Sequence, residues 1–125
     1  MKVILSIKPE FANKIFDGTK KFEFRRRVHK NDQVTSVIVY ASAPISKVIG
    51  EFEIGDVLHE ELSSLWNITN EFSGISETYY REYFKGKNKG YAISVRKAEL
   101  YKNPLCIQEA FGIHPPQSFA YAKVS

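Results

Sequence analysis

Gly18-Thr19-Lys20-Lys21-Phe22-Glu23-Phe24-Arg25-Arg26-Arg27 is the stretch on which the reading of this chain turns. Before it, Pro9 sets up a helix, since its fixed φ suits a first turn. Phe11, Ala12, Ile15 and Phe16 then recur at helical spacing. Asp17-Gly18 closes that helix, with glycine in the left-handed position past its end. From Lys21 the period changes to two. Lys21, Glu23, Arg25 and Arg27 fall on one face of a strand, and Phe22 and Phe24 fall on the other, expected to be the core face. Lys20 sits at the turn, where alternation need not hold, and is free to join the side of Glu23. A cation, a carboxylate and a planar guanidinium fork thus meet within six positions.

Around this motif the chain reads as strands with helices between them. Lys2–Ile7 is apolar on both faces and so central. His29–Gln33 is a loop. Val34–Tyr40 is β-branched and central, and the small residues Ala41-Ser42-Ala43 after it leave room for a ligand or backbone to approach. Lys47–Val57 is a further strand with a bend near Gly50 or Gly55. Glu60–Asn70 carries Leu62, Leu65 and Trp66 on one helical face. Ser76 caps a second helix bearing Tyr79, Tyr80, Tyr83 and Phe84, read as core or rim residues rather than a stacking ladder. Tyr91–Leu100 is a long strand. Tyr101–Ile107, holding Pro104, is expected as an edge strand or extended tail, with a helical turn over Ile107–Phe111. This alternation predicts an α+β fold with a small curved or closed sheet of about five or six strands.

The 125 residues make one domain, 1–125, large enough for a core without staples. A single cysteine, Cys106, excludes an internal disulfide and lies between Leu105 and Ile107, as a buried inert thiol would. The start is too short in apolar residues for a signal peptide, and no run approaches the ~20 needed to span a bilayer. A cytoplasmic protein without membrane attachment is expected. His29, His59 and His114 are scattered and, with one cysteine, show no zinc spacing. No glycine-rich nucleotide loop is present. The expectation is no metal and no cofactor.

The net charge is +4 and is laid out in blocks. Residues 14–30 hold seven Lys/Arg against two acids, 51–77 hold seven acids and no Lys/Arg, and 81–102 again hold seven Lys/Arg against two acids. A solvated mixed surface and a polyanion lying across one side account equally well for this pattern. Taken alone, exposed pairing of Glu23 with Arg25 or Lys21, worth ~0–1 kcal/mol, is the simpler account of the motif strand.

The order G-x-K-x-x-E-x-R, from Gly18 through Lys20 and Glu23 to Arg25, resembles the signature of the ASCH domains, relatives of the PUA domain. Ser6-Ile7-Lys8-Pro9, Tyr40-Ala41-Ser42, Gly50-Glu51-Phe52 and Pro115-Pro116-Gln117-Ser118-Phe119 are similar to that family as well, so the likeness spans nearly the whole chain. The resemblance implies a small PUA-like β-barrel with short helices around it, and a cleft beside the motif strand that recognises RNA or a modified nucleobase. The binding set is then Lys20, Glu23, Arg25, Arg26, Tyr40, Ser42, Gln117, Ser118 and Phe119. Arg25 suits bidentate contact with a phosphate or base edge, Lys20 suits an oxyanion, and Glu23 suits an exocyclic amine. Tyr40, Phe119 or Tyr121 suits stacking on a base. Gln117 and Ser118, held by two prolines, offer an amide and a hydroxyl.

Some ASCH relatives are amidohydrolases on N4-acylated cytidine and use a Lys, a Thr and a Glu; others are reported as ribonucleases. The Lys corresponds to Lys20, but the Thr falls at Glu23, so this chain lacks that hydroxyl. If the chain is an enzyme, Lys20 and Glu23 are its catalytic candidates, with Glu51 or Glu53 as a second carboxylate. The substitution at position 23 turns the reading from catalysis toward binding.

Overall fold

The computed structural model describes residues 1–122 of the chain. Six strands form one mixed sheet, ordered β2-β5-β4-β3-β1-β6. They are β1 (Lys2–Ile7), β2 (Phe22–Arg25), β3 (Ser36–Ala41), β4 (Lys47–Glu61), β5 (Lys89–Leu105) and β6 (Phe119–Ala122). Four helices are interspersed: α1 (Pro9–Asp17), α2 (Leu62–Thr69), α3 (Glu77–Tyr83) and α4 (Ile107–Phe111), with a 3-10 turn over Asn70–Phe72. β1 and β3 run parallel; every other neighbouring pair is antiparallel.

Strand alternation sorts the core onto two faces. Val3, Leu5 and Ile7 of β1 and Val37, Val39 and Ala41 of β3 pack with Ala12 and Ile15 of α1. The intervening Ile4, Ile38 and Tyr40 point the other way, onto Ile107 and Phe111 of α4. A third cluster seats Phe24 and Ala92 against Leu65 of α2, Tyr80 of α3 and Phe84 just past the end of α3. Both faces of β1 and β3 are covered, which is why their sequences are continuously apolar.

The α+β class stands, but the sheet does not close into a barrel. Among the described residues β2 pairs only with β5, and β6 only with β1, so both remain edges. Each is four residues long, and the approach to β6 runs through Pro115 and Pro116, which have no N–H to give to a ladder. The sheet nevertheless curls far enough to bring its edges together. The Arg25 guanidinium on β2 reaches the Ser118 carbonyl just before β6 (2.6 Å). A side chain spans the gap that a backbone ladder would close in a barrel. The curl arises in β4 and β5, whose register shifts at Val48/Gly50, Glu51/Glu53 and Ile54/Val57, because bulges bend strands and increase their twist.

Two boundaries differ from expectation for the same reason. β4 continues to Glu61 rather than stopping at Val57, and β5 runs through Pro104 to Leu105 as one strand rather than a strand and a tail. Each extension pairs with the start of the other strand: Leu58 to Glu61 of β4 with Ala92 to Lys89 of β5, and Leu105 of β5 with Val48 of β4. Tertiary pairing overrides the local punctuation of Gly and Pro. Gly50 is needed where it lies, since a Cβ there would stand 2.5 Å from the Glu99 carbonyl oxygen. Cys106 is half-buried rather than buried. Among the described residues no helix is long and apolar enough to cross a membrane.

Candidate functional site

α1 ends as its sequence prescribes. Gly18 takes φ +89°, and its N–H donates to the Ile15 carbonyl. The chain then doubles back: the Lys20 N–H donates to the Lys14 carbonyl (3.0 Å) and the Lys21 N–H to the Phe72 carbonyl (2.8 Å). This turn drops the Lys20 side chain inward, where only 2% of it remains exposed. Its Nζ donates to the Ser73 carbonyl (2.6 Å) and lies 4.9 Å from the centre of the Phe24 ring. Lys14 Nζ donates to the neighbouring Gly74 carbonyl (3.1 Å). Two lysines thus fasten the turn that leads into α3. At the start of α3, Ser76 accepts from the Tyr79 N–H (3.1 Å), as expected of its cap.

Burial lowers the Lys20 pKa to about 8; the nearby Glu23 carboxylate opposes that fall and Lys14 adds to it. Desolvation wins because the ammonium has lost its water and gained one carbonyl and two ring faces in return.

Glu23 is also buried, at 6% exposure. Both faces of β2 are therefore covered, and the exposed ion pair that the charge alternation alone would suggest is not what forms. The Glu23 side chain has one hydrogen-bond partner among the described residues, Arg25 Nη1 at 3.4 Å. That is a long contact, so most of the acceptor capacity of the carboxylate remains available. Arg25 itself is well held. Besides Glu23 and the Ser118 carbonyl, it donates to the Ser6 carbonyl (3.4 Å).

Lys20, Glu23 and Arg25 meet in one cavity of about 160 Å³. Ser6, Ile7 and Lys8 at the end of β1 form one side, and Ile75, Tyr79 and Tyr83 form another. Phe11 packs edge-on to Tyr79 (5.1 Å), while the Tyr79 and Tyr83 rings lie parallel at 6.4 Å. Burial raises the Tyr83 pKa, so its hydroxyl stays protonated and able to donate. The cavity offers an acceptor, three cations (Lys8, Lys20 and Arg25) and aromatic walls within one small concave space.

The other expected residues do not join them. Tyr40 is buried on the α4 face, carried there by strand alternation. Ser42 donates to the Ile7 carbonyl (3.4 Å) and is outside the cavity. Arg26 donates to the Tyr83 and Lys85 carbonyls on the outside of the cavity wall. Phe119 lines a different groove with Arg26, Gln117 is exposed, and Ser118 contributes its carbonyl to Arg25. Glu51 is bound by Lys2 (2.7 Å) and Tyr101 (3.1 Å), and Glu53 faces Lys97. Neither supplies a second carboxylate to the cavity. Among the described residues no three of His, Cys, Asp and Glu are grouped to hold a metal ion.

Sequence reasoning passed over Ser6, Lys8, Phe11, Tyr79 and Tyr83 as site residues. The i, i+4 spacing of Tyr79 and Tyr83 puts them on one helical face, next to the face of Tyr80 and Phe84 that is core. That split was available in the sequence.

Comparison with known proteins agrees with this architecture. The chain is 32% identical, over 97% of its length, to the large ribosomal subunit protein uL22 of Ureaplasma parvum, and spans 39% of that longer protein. It is 29% identical to an ASCH domain-containing ribonuclease of Zymomonas mobilis, covering 98% of this chain and 84% of the relative. The crystal structure of ASCH from Zymomonas mobilis superposes with a TM-score of 0.90 at 29% identity, over 98% of this chain and 87% of that one. The ASCH domain model matches residues 5–101, and the chain belongs to the ASCH domain family.

Proposed function

We propose that this chain binds RNA and takes one nucleobase into the cavity between β2 and α3. One observation carries the reading: a buried carboxylate with a single long hydrogen bond among the described residues, Glu23, shares a cavity with Lys20, Arg25 and the Tyr79 and Tyr83 rings. A buried carboxylate left so lightly partnered is costly unless something completes its shell. A base edge carrying an exocyclic amine does so, while Tyr79 gives a face for stacking. The cavity is smaller than the ~300–1,000 Å³ of a drug-sized site, which suits one planar group rather than a folded ligand. The ribosomal and ribonuclease names of the relatives point the same way.

A second reading is a ribonuclease. It is supported by the name of the Zymomonas relative and by the Lys20 pKa of about 8, which lets its amine accept a proton near neutral pH. In that reading a ribose 2′-oxygen forms a bond to the adjacent phosphorus, the 2′ proton passes to the neutral Lys20 amine, the bond to the 5′-oxygen breaks, and that oxygen leaves as a hydroxyl with a proton from solvent water. Arg25 neutralises the charge on the phosphate oxygens. The amidohydrolase alternative gains nothing from a cavity with one carboxylate.

Fluorescence anisotropy of a labelled eight-nucleotide single-stranded RNA tests the binding reading. Tyr79→Ala is expected to weaken binding by ~1–3 kcal/mol, and Glu23→Gln to change the preferred base. No binding by the wild type at low salt would refute it. Gel analysis of the same RNA after long incubation decides between the readings: shortened products that vanish in Lys20→Ala favour the ribonuclease, and intact RNA favours binding alone.

A further inference from the structure

A second concavity, about 530 Å³, opens on the other side of Arg26 from the cavity. It lies where the two sheet edges approach without pairing. Arg26, Arg27 and Lys30 follow β2 along one bank, and Lys87 from the loop between α3 and β5 and Lys89 at the start of β5 add to it. Among the described residues five cations and no carboxylate line this groove. Its floor is aromatic: the His59 and Tyr91 rings are stacked at 4.0 Å and 8° on the paired β4 and β5, and Phe119 and Tyr121 stand edge-to-face at 5.6 Å on β6. The Tyr121 hydroxyl accepts from the Lys30 and Asn31 N–H groups at 3.3 Å each, which ties the β6 edge to the basic bank.

We propose that this groove binds the phosphate backbone and bases that flank the nucleotide held in the cavity. The inference rests on the RNA-binding reading above and extends it to a second subsite. Cations alone would make a diffuse anion surface. Cations on the banks with ring faces on the floor are the arrangement that tracks a single strand, whose phosphates and bases alternate at short intervals. The two subsites share a wall. Arg26 Nη1 holds the Tyr83 carbonyl (2.9 Å) while its guanidinium borders the groove, and Tyr83 borders the cavity. A strand leaving the cavity over Arg26 enters the groove directly. The groove also explains why a run of three arginines closes the motif strand: Arg25 faces the cavity, and Arg26 and Arg27 face the groove.

The test compares three variants by anisotropy, using the labelled octanucleotide and a labelled dinucleotide over a range of salt. Lys87 and Lys89 are exposed, so Lys87→Gln/Lys89→Gln leaves the fold intact. The double variant should bind the octanucleotide about tenfold more weakly and flatten the slope of log K against log salt by about 1.4, two single-strand phosphates' worth. It should leave dinucleotide binding unchanged. Tyr79→Ala should weaken both ligands, and Arg96→Gln/Lys102→Gln, exposed but outside the groove, should weaken neither. The groove is refuted if Lys87→Gln/Lys89→Gln matches the wild type, or if the control pair weakens binding as much, and in both cases a loss in Tyr79→Ala leaves the cavity reading standing. Absence of wild-type binding to either RNA refutes both.

Discussion

Replacing Lys20 with methionine tests the account at its most unusual residue. The native pKa of about 8, against an ordinary 10.5, means that burial penalises the charged amine by about 3 kcal/mol. The sign follows from proton linkage. Between pH 8 and 10.5 the unfolded chain binds more protons at this site than the native one, so stability rises with pH across that window. Below pH 8 the penalty is fully present. Lys20→Met removes it but leaves the Ser73 carbonyl without its donor, at ~1–3 kcal/mol. It also forfeits the contact with the Phe24 ring, at ~0.5–2 kcal/mol. At pH 7 these terms nearly cancel. At pH 10, where the wild-type amine is already neutral, the variant is the less stable protein. The difference in unfolding free energy between wild type and variant should therefore grow by about 2–3 kcal/mol from pH 7 to pH 10. Burial raises the pKa of Tyr80 to about 12 and also raises those of Tyr83 and Tyr101, which lowers stability above pH 10. Those groups are common to both proteins and drop out of the difference. Urea titrations at unit pH steps, followed by fluorescence of the single tryptophan, Trp66, packed 4.7 Å from Tyr80, supply the measurement. A difference that does not change with pH would show that Lys20 keeps its ordinary pKa, and the electrostatic reading of the cavity would fall.

The remaining predictions concern the frame of the same cavity. Gly74 has φ +69°, and a Cβ there would meet the Lys20 side chain at 2.6 Å; Gly74→Ala should cost about 2 kcal/mol or more in stability, read by the same titration. Arg25→Ala should cost about 3 kcal/mol, because it leaves Glu23 buried without its cation, whereas the doubly neutral Glu23→Gln/Arg25→Met should recover part of that loss. Arg25→Lys, which cannot reach the Ser6 and Ser118 carbonyls and Glu23 together, should speed amide exchange along β6, measured by hydrogen–deuterium exchange.

Much of this was legible in the sequence. Pro9 and Gly18 bracket α1, apolar runs mark β1 and β3 as central, and the motif brings Lys20, Glu23 and Arg25 to one cavity. What could not be read depends on the curl of the sheet. Alternation put Glu23 on the charged face of β2, but that this face is buried beside Tyr79 and Tyr83 depends on how α3 packs against it. Tyr40 entered the binding set through the family resemblance and its ring, yet the parity of β3 sends it into the opposite core. Phe119 stands beyond the wall formed by Arg26, so it belongs with the groove and not the cavity. Closure of the sheet is a long-range property: two four-residue edges and a pair of prolines leave it to the Arg25 side chain. No local pattern announces that.

The central claim is that the space between β2 and α3 receives a nucleobase from RNA, and backbone amide NMR tests it most directly. Titrating isotopically labelled protein with a short single-stranded RNA should shift the amides of Ser6–Phe11, Lys20–Arg25 and Ile75–Tyr83, the segments that surround the cavity. Shifts confined to the far side of the sheet, around the hydrogen-bonded pair of Glu51 and Tyr101, or no shifts at RNA concentrations well above those of the protein, would contradict it.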